Sequence, residues 1–518
     1  MKNWIKNKIH IIFLFAYSFL MTILHSFNSV RFDDAAIFSD NAVFYLMGKA
    51  MLQGKVLYKD MFDHKAPYIY FINAIASIFD KRHVGLYIIT SLVLFVALYF
   101  TYKIVNLFIK DKLLSIVGAA FICLFLNNAN LTLGFLRTEG YAVSLLLPSA
   151  YLFIKYFLSD KKGFPLLYMF IIGILAGITL LINVKAAVLY LPFAIATLVV
   201  LLKNKNYKNI ILCFISGFSG VIIAVMPAVI YLIRNDCVKE AMDAIIGINA
   251  IYSNYDSAVN TLHEKNIETI LTILILHPVI SIIMILELVA IIIYKTKKTI
   301  KYSVLVSFIF CLAYTIIINR PYTYYYTIII PYLIPVFLVA ISKFIGTSKT
   351  IGVSEIIGAS STSPRVRMFA IIAILIMFAI NFPLGFTVTN YKYESNLIEK
   401  EQLYERLGQE VKIDDNTRVL AYGFSPEYYM YLNKKISFKY FIIPNITFKY
   451  YSEPYLRQIE YIRESLPDIL VFAFGNYTNI PTQNFNEFRE AVDSNYKYLG
   501  DLNIFSDTAK NPKVLVRK

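Results

Sequence analysis

The sequence contains little charge and few cysteines. Only 16% of its 518 residues are Asp, Glu, Lys or Arg, against 58% hydrophobic residues, and this balance argues against a soluble globular domain. No internal repeat is visible, which weakens the case for a secondary transporter. The cysteines show neither CxxC metal spacing nor a disulfide framework; they are Cys123, Cys213, Cys237 and Cys311.

Long apolar runs dominate residues 1–390 and predict membrane-spanning helices, because about 20 apolar residues cross a hydrocarbon core of roughly 30 Å. The run at 68–79 is too short for a typical span. We predict an all-α polytopic membrane domain with about 11 spans and additional interfacial helices. The spans lie near 9–28, 84–109, 113–129, 141–158, 164–182, 186–203, 209–233, 268–294, 302–319, 324–344 and 367–387.

The net charge of +16 is distributed as expected for a membrane protein and does not indicate a surface that binds nucleic acid. Lys and Arg concentrate in short loops between the spans, where they mark the cytoplasmic side. We therefore expect a cell-membrane protein with a cytoplasmic N-terminus, a retained first span instead of a removed signal peptide, and an external C-terminus. The basic loops are 110–112, 159–163, 203–209, 295–301 and 345–367.

Residues 391–518 have a mixed polar and apolar composition and predict a small external α/β domain. The segments 417–423 and 468–474 are typical of buried strands. Segments 425–434 and 452–466 are typical of helices with a serine N-cap. Strand–helix alternation favours an α/β fold. No nucleophile motif or phosphate loop is present in this part of the sequence.

The first external loop, 29–83, contains a predicted amphipathic helix at 40–54 that lies along the membrane interface. Its apolar residues follow helical spacing, and Gly54 is a natural C-terminal stop. Asp40 precedes the first turn, so Asp40 or Ser39 is expected to cap the helix. A helix N-terminus also keeps a carboxylate ionised, as a general base requires. Asp33 and Asp34 compete with Asp40 for that role.

Further along this loop, "YKDMFDHKAPYIYF" contains a group of charges with two interpretations. Lys65 precedes an apolar helix, where it either extends to the lipid headgroups or contacts a phosphate. Asp60, Asp63 and His64 form either an interfacial hydrogen-bond cluster or a site. No second histidine follows His64 or His263 at metal-ligand spacing, so no metal site is predicted.

Three more basic residues fall on the predicted external face, although the positive-inside rule makes basic residues rare there. Together with Lys65 they favour a shared anionic ligand. Glu139 is the carboxylate of this group, and a carboxylate near the membrane needs a partner or a function. The three basic residues are Arg137, Lys185 and Arg320.

Residues 1–340 resemble the dolichyl-phosphate-mannose-protein mannosyltransferase superfamily, which includes the lipid A aminoarabinose transferase. The resemblance rests on an acidic residue that opens an interfacial helix, on G-x-x-x-Y-x-D at 54–60 and on D-H-K-A-P at 63–67. It also rests on "LRTEGYAVSLLLP" and "GILAGITLLINVKAAVLYLP", at 136–148 and 173–192. Many relatives place a second acid directly after the first, where this chain has Asn41.

The resemblance implies a GT-C fold and inverting transfer of a sugar from a polyprenyl-phosphate carrier to an envelope lipid, glycan or protein. Asp40 would be the general base. Cations would stabilise the phosphate leaving group. By the same resemblance, Lys65, Lys185, Arg137 and Arg320 would bind the phosphate, and Glu139, Asp63, Asp60, Tyr58 and His64 would position substrate or shape the loop.

Two other classes of function stay open at this stage. A flippase or transporter for a lipid-linked saccharide would use the same basic groups without chemistry. An O-antigen ligase or polymerase would be another multispan enzyme with a large external loop. No cofactor is implied, and the sequence leaves a divalent cation requirement open.

Overall fold

The computed structural model is mostly helical and has one four-stranded sheet. It describes residues 2–79, 81–109, 111–121, 123–126, 132, 137–254, 298–318, 327–328, 364–408, 410–444, 446–472, 482–503 and 511–518. The longer helices in these ranges are α1 (Lys2–His25), α2 (Ser39–Leu52), α3 (Tyr68–Ser77), α4 (Val84–Ile109), α5 (Lys112–Phe121), α6 (Thr138–Leu158), α7 (Leu166–Ile182), α8 (Leu191–Lys203), α9 (Tyr207–Arg234), α10 (Lys298–Ile318) and α11 (Pro364–Leu407).

Short helices complete the helical part. Cys123–Leu126, Val238–Met242 and Asn249–Asn254 are α-helical, and Asp243–Ile248 is a π-helix. Three segments are 3₁₀-helical: Asp34–Ala36, Lys81–His83 and Val184–Tyr190. In the C-terminal part, α12 is Glu427–Tyr431, α13 is Glu453–Glu464 and α14 is Thr482–Asn495, with strands β1 (Val419–Tyr422), β2 (Ile469–Phe472), β3 (Tyr496–Asp501) and β4 (Lys513–Arg517).

The apolar helices make this a multi-pass membrane protein. Within the described ranges, five helical segments are long and apolar enough to cross a membrane, and each overlaps a predicted span. The helix α3 has ten residues and rises only about 15 Å, so it is shorter than a typical span. The predicted spans at 268–294 and 324–344 lie outside the described residues. The five segments are Lys8–His25, Lys81–Phe108, Thr138–Leu158, Val184–Lys203 and Tyr207–Arg234.

The chain divides into two compact units, and the first comprises residues 1–26, 87–228 and 260–388. Within it, α7 and α9 pack backbone to backbone. A Cβ on Gly173 would lie 2.0 Å from the Gly217 carbonyl oxygen, and one on Gly220 would lie 2.3 Å from that of Phe170. Small residues allow membrane helices to approach this closely. The G-x-x-x-G pattern at Gly173 and Gly177 therefore serves helix packing.

The second unit comprises residues 27–86, 229–259 and 389–518. At its centre, α2 and α3 pack tightly, since a Cβ on Gly48 would lie 2.5 Å from the Ala74 nitrogen. Residues Ala42 to Gly48 are all buried. The prediction of an amphipathic helix with one polar face is therefore wrong, because neighbouring elements cover the second face as well.

The predicted cap of this helix is also wrong. The N-cap residue is Phe38, which makes no side-chain capping hydrogen bond, and both Ser39 and Asp40 lie in the first turn. The helix ends at Leu52, and Gly54 has the left-handed φ of +88° that follows many helix ends. Gln53 is the C-cap residue, and Gly54 follows it. Glycine usually ends a helix at this position, as the sequence predicts here.

The C-terminal sheet has the strand order β1-β2-β4-β3. Strands β1 and β2 are parallel and pair Val419 with Ile469, whereas β4 is antiparallel to both of its neighbours. All residues of β1 and β2 are buried, which confirms the two predicted strands. Of the two predicted serine N-caps, one is confirmed: Ser452 is the N-cap residue of α13, although its side chain makes no capping hydrogen bond. The other is wrong, because Pro426 is the N-cap residue of α12.

Candidate functional site

The segment between α2 and α3 forms a tight loop that is held by its own side chains. Tyr58 is buried, has a φ of +67° and donates its hydroxyl to the Lys65 carbonyl at 2.8 Å. The Asp60 carboxylate accepts the Val56 N–H at 2.7 Å. Tyr58 thus ties the loop to Lys65, and Asp60 closes the turn that begins at Val56.

Asp63 is buried at the end of this loop and is surrounded by donors. Tyr70 donates its hydroxyl to one carboxylate oxygen at 2.7 Å, and the His64 backbone N–H donates to the other at 2.7 Å. Burial alone would raise the pKa of Asp63. The charge of Lys65, with hydrogen bonds from His64 and Tyr70, more than offsets burial and holds this pKa well below its usual range.

His64 links Asp63 to Lys65. Its Nδ1 lies 3.1 Å from Asp63 Oδ1, and its Nε2 lies 3.0 Å from Lys65 Nζ. Burial first, and then the charge of Lys65, lower the pKa of His64. A neutral imidazole with Nδ1–H toward Asp63 leaves a lone pair on Nε2 for the ammonium. We name Asp63, His64, Lys65 and Tyr70 the loop cluster; its geometry fixes where the ammonium points.

Asp40 lies within electrostatic reach of the loop cluster. Its negative charge acts to raise the pKa of His64, although this effect is smaller than that of burial. Asp40 is half-buried in the first turn of α2, where the helix dipole favours an anion. The charge of Asp40 therefore acts on the same imidazole that contacts the Lys65 ammonium.

In the first unit, Glu139 is buried in the first turn of α6. Asn183 Nδ2 and Thr138 Oγ1 donate to its carboxylate, each at 3.1 Å. The Asn183 side-chain oxygen also accepts the Ala186 N–H and so caps the 3₁₀ turn that contains Lys185. Glu139, Thr138 and Asn183, named here the Glu139 cluster, thus join the start of α6 to the turn of Lys185.

The remaining predicted residues are placed as follows. Arg137 is the buried N-cap residue of α6, and Lys185 is half-buried. Arg320 lies outside the described residues. In the described ranges, no group of three or more His, Cys, Asp or Glu side chains is placed to hold a metal ion.

Sequence reasoning missed a half-buried carboxyl pair. Glu427 is the first residue of α12, and the charge of Glu399 on α11 acts on it. Tyr428 donates its hydroxyl to Glu399 at 2.6 Å. The helix α12 also packs against α2, almost 400 positions earlier in the chain, and no local pattern predicts that contact. A weak signal for Asn183 is present in the sequence, because asparagine is a common N-cap residue and here directly follows an apolar helix.

No family model matches the chain, and no curated protein matches it. Among solved structures, it is similar to ArnT from Cupriavidus metallidurans bound to undecaprenyl phosphate. The identity is 11%, the match covers 99% of this chain and 98% of that one, and the TM-score is 0.57.

The apo state of the same ArnT gives a TM-score of 0.54, again at 11% identity and with 99% and 98% coverage. The archaeal oligosaccharyltransferase AglB from Archaeoglobus fulgidus, in complex with an inhibitory peptide and a dolichol-phosphate, gives 0.43, at 11% identity with 98% and 74% coverage. The resemblance read from the sequence is confirmed at the level of the fold. Over nearly its whole length, this chain has the GT-C fold of ArnT.

Proposed function

We propose that this protein is a membrane glycosyltransferase that moves a sugar from a polyprenyl-phosphate carrier to an envelope lipid, glycan or protein on the external face. The observation that supports it best is the loop cluster, in which His64 contacts the Lys65 ammonium and lies within electrostatic reach of the half-buried Asp40 carboxylate. The fold adds support, since it is shared with an ArnT that was solved with undecaprenyl phosphate bound.

The reaction requires one base and a stabilised leaving group. An acceptor hydroxyl oxygen attacks the anomeric carbon from the face opposite the carrier, and Asp40 takes the hydroxyl proton. The bond between that carbon and the phosphate oxygen breaks, and its electron pair stays with the polyprenyl phosphate. Attack from the opposite face inverts the anomeric centre. A phosphate that gains charge needs nearby cations and no general acid.

Lys65 is the main cation in this proposal. The neutral imidazole of His64 accepts from the ammonium, and Asp63 holds the imidazole. The ammonium has three N–H donors, so it can keep its bond to His64 Nε2 and donate another to a phosphate oxygen, where the anionic acceptor gives the stronger hydrogen bond. Lys185, Arg137 and Arg320 are proposed as further phosphate contacts, and Glu139 as a residue that positions donor or acceptor.

The decisive experiment is a carrier-release assay on the purified protein with a panel of polyprenyl-phosphate sugars. At least one donor should release polyprenyl phosphate. Asp40→Asn should slow release by about 10²–10⁴-fold, the usual loss when a general base is removed. Asp34→Asn is the matched control, because it changes a neighbouring carboxylate that pairs with His83, and it should stay within about threefold of wild type.

Two results would contradict this proposal. Turnover of Asp40→Asn at the wild-type rate would remove Asp40 as the base. Tight binding of undecaprenyl phosphate without release from any donor would favour the alternative of a transporter or flippase for lipid-linked saccharides.

A further inference from the structure

A cavity of about 210 Å³ lies between the C-terminal half of α2 and the turn that follows α12. Lys49 and Gln53 line one wall, and Asn433, Lys434 and Lys435 line the other. Both walls belong to the second compact unit. A water molecule takes up about 30 Å³ of liquid, so the cavity is large enough for a phosphate group together with part of a sugar ring.

Positive charge dominates the lining of this cavity. Lys49, Lys434 and Lys435 contribute three ammonium groups, and Asp415 contributes the one carboxylate among the described lining residues, which leaves a net charge of +2. A phosphate monoester carries about −1.5 to −2 at pH 7 and would balance this charge. A single carboxylate would leave half of it uncompensated. The lining therefore favours a ligand that carries a phosphate.

Lys434 is the most buried of the three lysines, since only 9% of it is exposed. Its ammonium donates to the backbone carbonyl of Asp414, which is a neutral acceptor. A buried ammonium loses much of its hydration, and an anion in contact with it offsets that cost. Because an ammonium has three N–H donors, Lys434 can keep its bond to Asp414 and donate another to a phosphate oxygen.

The turn after α12 places the lysines of its wall. Asn433 has a left-handed φ of +49°, and the Lys434 N–H donates to the Tyr429 carbonyl at 2.8 Å, a bond of the kind that closes many helix ends. The Asn433 side-chain oxygen lies 3.5 Å from Lys49 Nζ on the opposite wall. The two walls are therefore close enough for one small anion to contact both.

The rest of the lining suits a carbon skeleton with hydroxyl groups. Leu46, Ala50 and Ile436 supply buried apolar surface, and the side-chain amides of Gln53 and Asn433 can both donate and accept hydrogen bonds. Apolar surface with a few polar groups is typical of sites for small organic ligands. A sugar phosphate has all three parts that this lining would contact: a phosphate, hydroxyl groups and carbon.

The cavity is separate from Asp40, although both involve α2. At 3.6 residues per turn, Leu46, Lys49 and Gln53 are rotated by about 120–180° from Asp40 around the helix axis. Lys49 also lies nine residues after Asp40, which is about 14 Å along the axis. A phosphate bound here is held away from the carboxylate that we propose as the base.

We propose that this cavity, named here the lysine pocket, is a second binding site, which takes a sugar phosphate group with Lys49, Lys434 and Lys435 as its phosphate contacts. Two sources share this chemistry: a phosphorylated sugar within an extended acceptor, and a free sugar phosphate. The proposal goes beyond the proposed function, because binding at the lysine pocket requires no transfer reaction.

The direct test is calorimetric titration of the full-length protein in detergent with glucose 1-phosphate, in the absence of any donor. Wild type should bind it saturably and should not bind glucose at the same concentrations. Lys49→Gln and Lys435→Gln should each weaken binding by about three- to tenfold, because each removes a charged donor. Lys449→Gln is the matched control, since Lys449 is an exposed lysine of the same unit that lies over the Tyr450 ring; its affinity should stay within about twofold of wild type.

Asp415→Asn is the sharpest variant, because it changes the charge of the lysine pocket in the opposite direction. Removing this carboxylate should strengthen glucose 1-phosphate binding by about threefold. A merely structural role for Asp415 would weaken binding or leave it unchanged. Lys434→Gln should weaken binding by more than about tenfold; if that variant does not fold, the variants of Lys49, Lys435 and Asp415 decide the question.

Inhibition kinetics distinguish the two sources. Competition between glucose 1-phosphate and the acceptor assigns the lysine pocket to the acceptor, whereas a change in kcat without competition assigns it to a free sugar phosphate. Asp40→Asn should bind glucose 1-phosphate with wild-type affinity even though its turnover is lost, so this inference and the proposed function fail independently.

Three results would overturn the inference. The first is the absence of saturable glucose 1-phosphate binding to wild type. The second is equal affinity of wild type, Lys49→Gln, Lys435→Gln and Asp415→Asn. The third is binding that is present in nanodiscs of phosphatidylcholine and abolished in nanodiscs of phosphatidylglycerol, since that result would assign the lysine pocket to lipid headgroups.

Discussion

Two carboxyl groups of the same compact unit, the buried Asp63 and the half-buried Glu427, have environments that shift their pKa values in opposite directions. Asp63 has His64, Lys65 and Tyr70 as partners, and its pKa is lowered. Glu427 has Glu399 as its neighbour, and its pKa is raised to about 7. Burial disfavours the charge of both, so the partners decide which form is present. The partners of Asp63 therefore favour its ionised form, whereas the neighbour of Glu427 favours the protonated form.

The largest effect is expected when the charge of Asp63 is removed. Asp63→Asn replaces the anionic acceptor of the Tyr70 hydroxyl and the His64 N–H by a neutral one, and a hydrogen bond to a charged group contributes about 1.5–3 kcal/mol to the unfolding free energy. We expect a large drop in the melting temperature and weaker binding of undecaprenyl phosphate. Asp60→Asn is the control, because the same change falls on a half-buried carboxylate outside the loop cluster.

The pH dependence of stability should differ in sign between the two groups. The lowered pKa of Asp63 stabilises the fold above its unfolded value near 3.8, and this contribution is lost as the pH falls further. The raised pKa of Glu427 favours folding below 4.5, and this contribution is lost as the pH rises to about 7. Glu427→Gln should therefore stabilise the protein above pH 7, by up to about 3 kcal/mol.

Thermal unfolding of Glu427→Gln and wild type at pH 5 and pH 8 measures this effect. The difference between the two proteins should be small at pH 5 and largest at pH 8. An equal difference at both pH values would mean that Glu427 does not titrate in the folded protein.

Replacing His64 would sharpen the comparison, because its imidazole lies between the Asp63 carboxylate and the Lys65 ammonium. His64→Gln should lower the affinity for undecaprenyl phosphate by about tenfold, the cost of one lost hydrogen bond to a charged group. His64→Phe should do the same and also leave Asp63 with fewer donors. Equal affinity of wild type and both variants would show that Lys65 needs no support from the imidazole.

The smallest predicted effect concerns Glu139, whose carboxylate is held by neutral donors. Asn183→Ala removes one donor and the cap of the Lys185 turn, and it should cost about 1 kcal/mol. We expect a few-fold loss of turnover. Asn183→Asp keeps the cap but places a second carboxylate beside Glu139, so it should be worse than Asn183→Ala; the reverse order would argue against the contact.

The sequence predicted those parts of the site that are local in the chain. Asp63, His64 and Lys65 are consecutive, so their proximity needed no tertiary information. Tyr70 and the pair of Glu427 and Glu399 were missed because their contacts depend on which elements pack together. The predicted cap of α2 was wrong although Ser39 and Asp40 are both cap-forming residue types, because the helix begins at Ser39 and Phe38 is its N-cap residue. The strands β1 and β2 were predicted because short, fully buried strands have an unbroken apolar sequence.

The shortness of α3 has a mechanical consequence for the bilayer. Its ten residues match the thickness of a single lipid leaflet, and its C-terminal end exposes Ile75, Ile78 and Phe79. A bilayer thins locally beside an apolar element that is shorter than its hydrocarbon core. Such thinning would lower the headgroup plane next to Lys65, which stands at the other end of this helix. A long polyprenyl tail could then stay within the hydrocarbon while its phosphate reaches the ammonium.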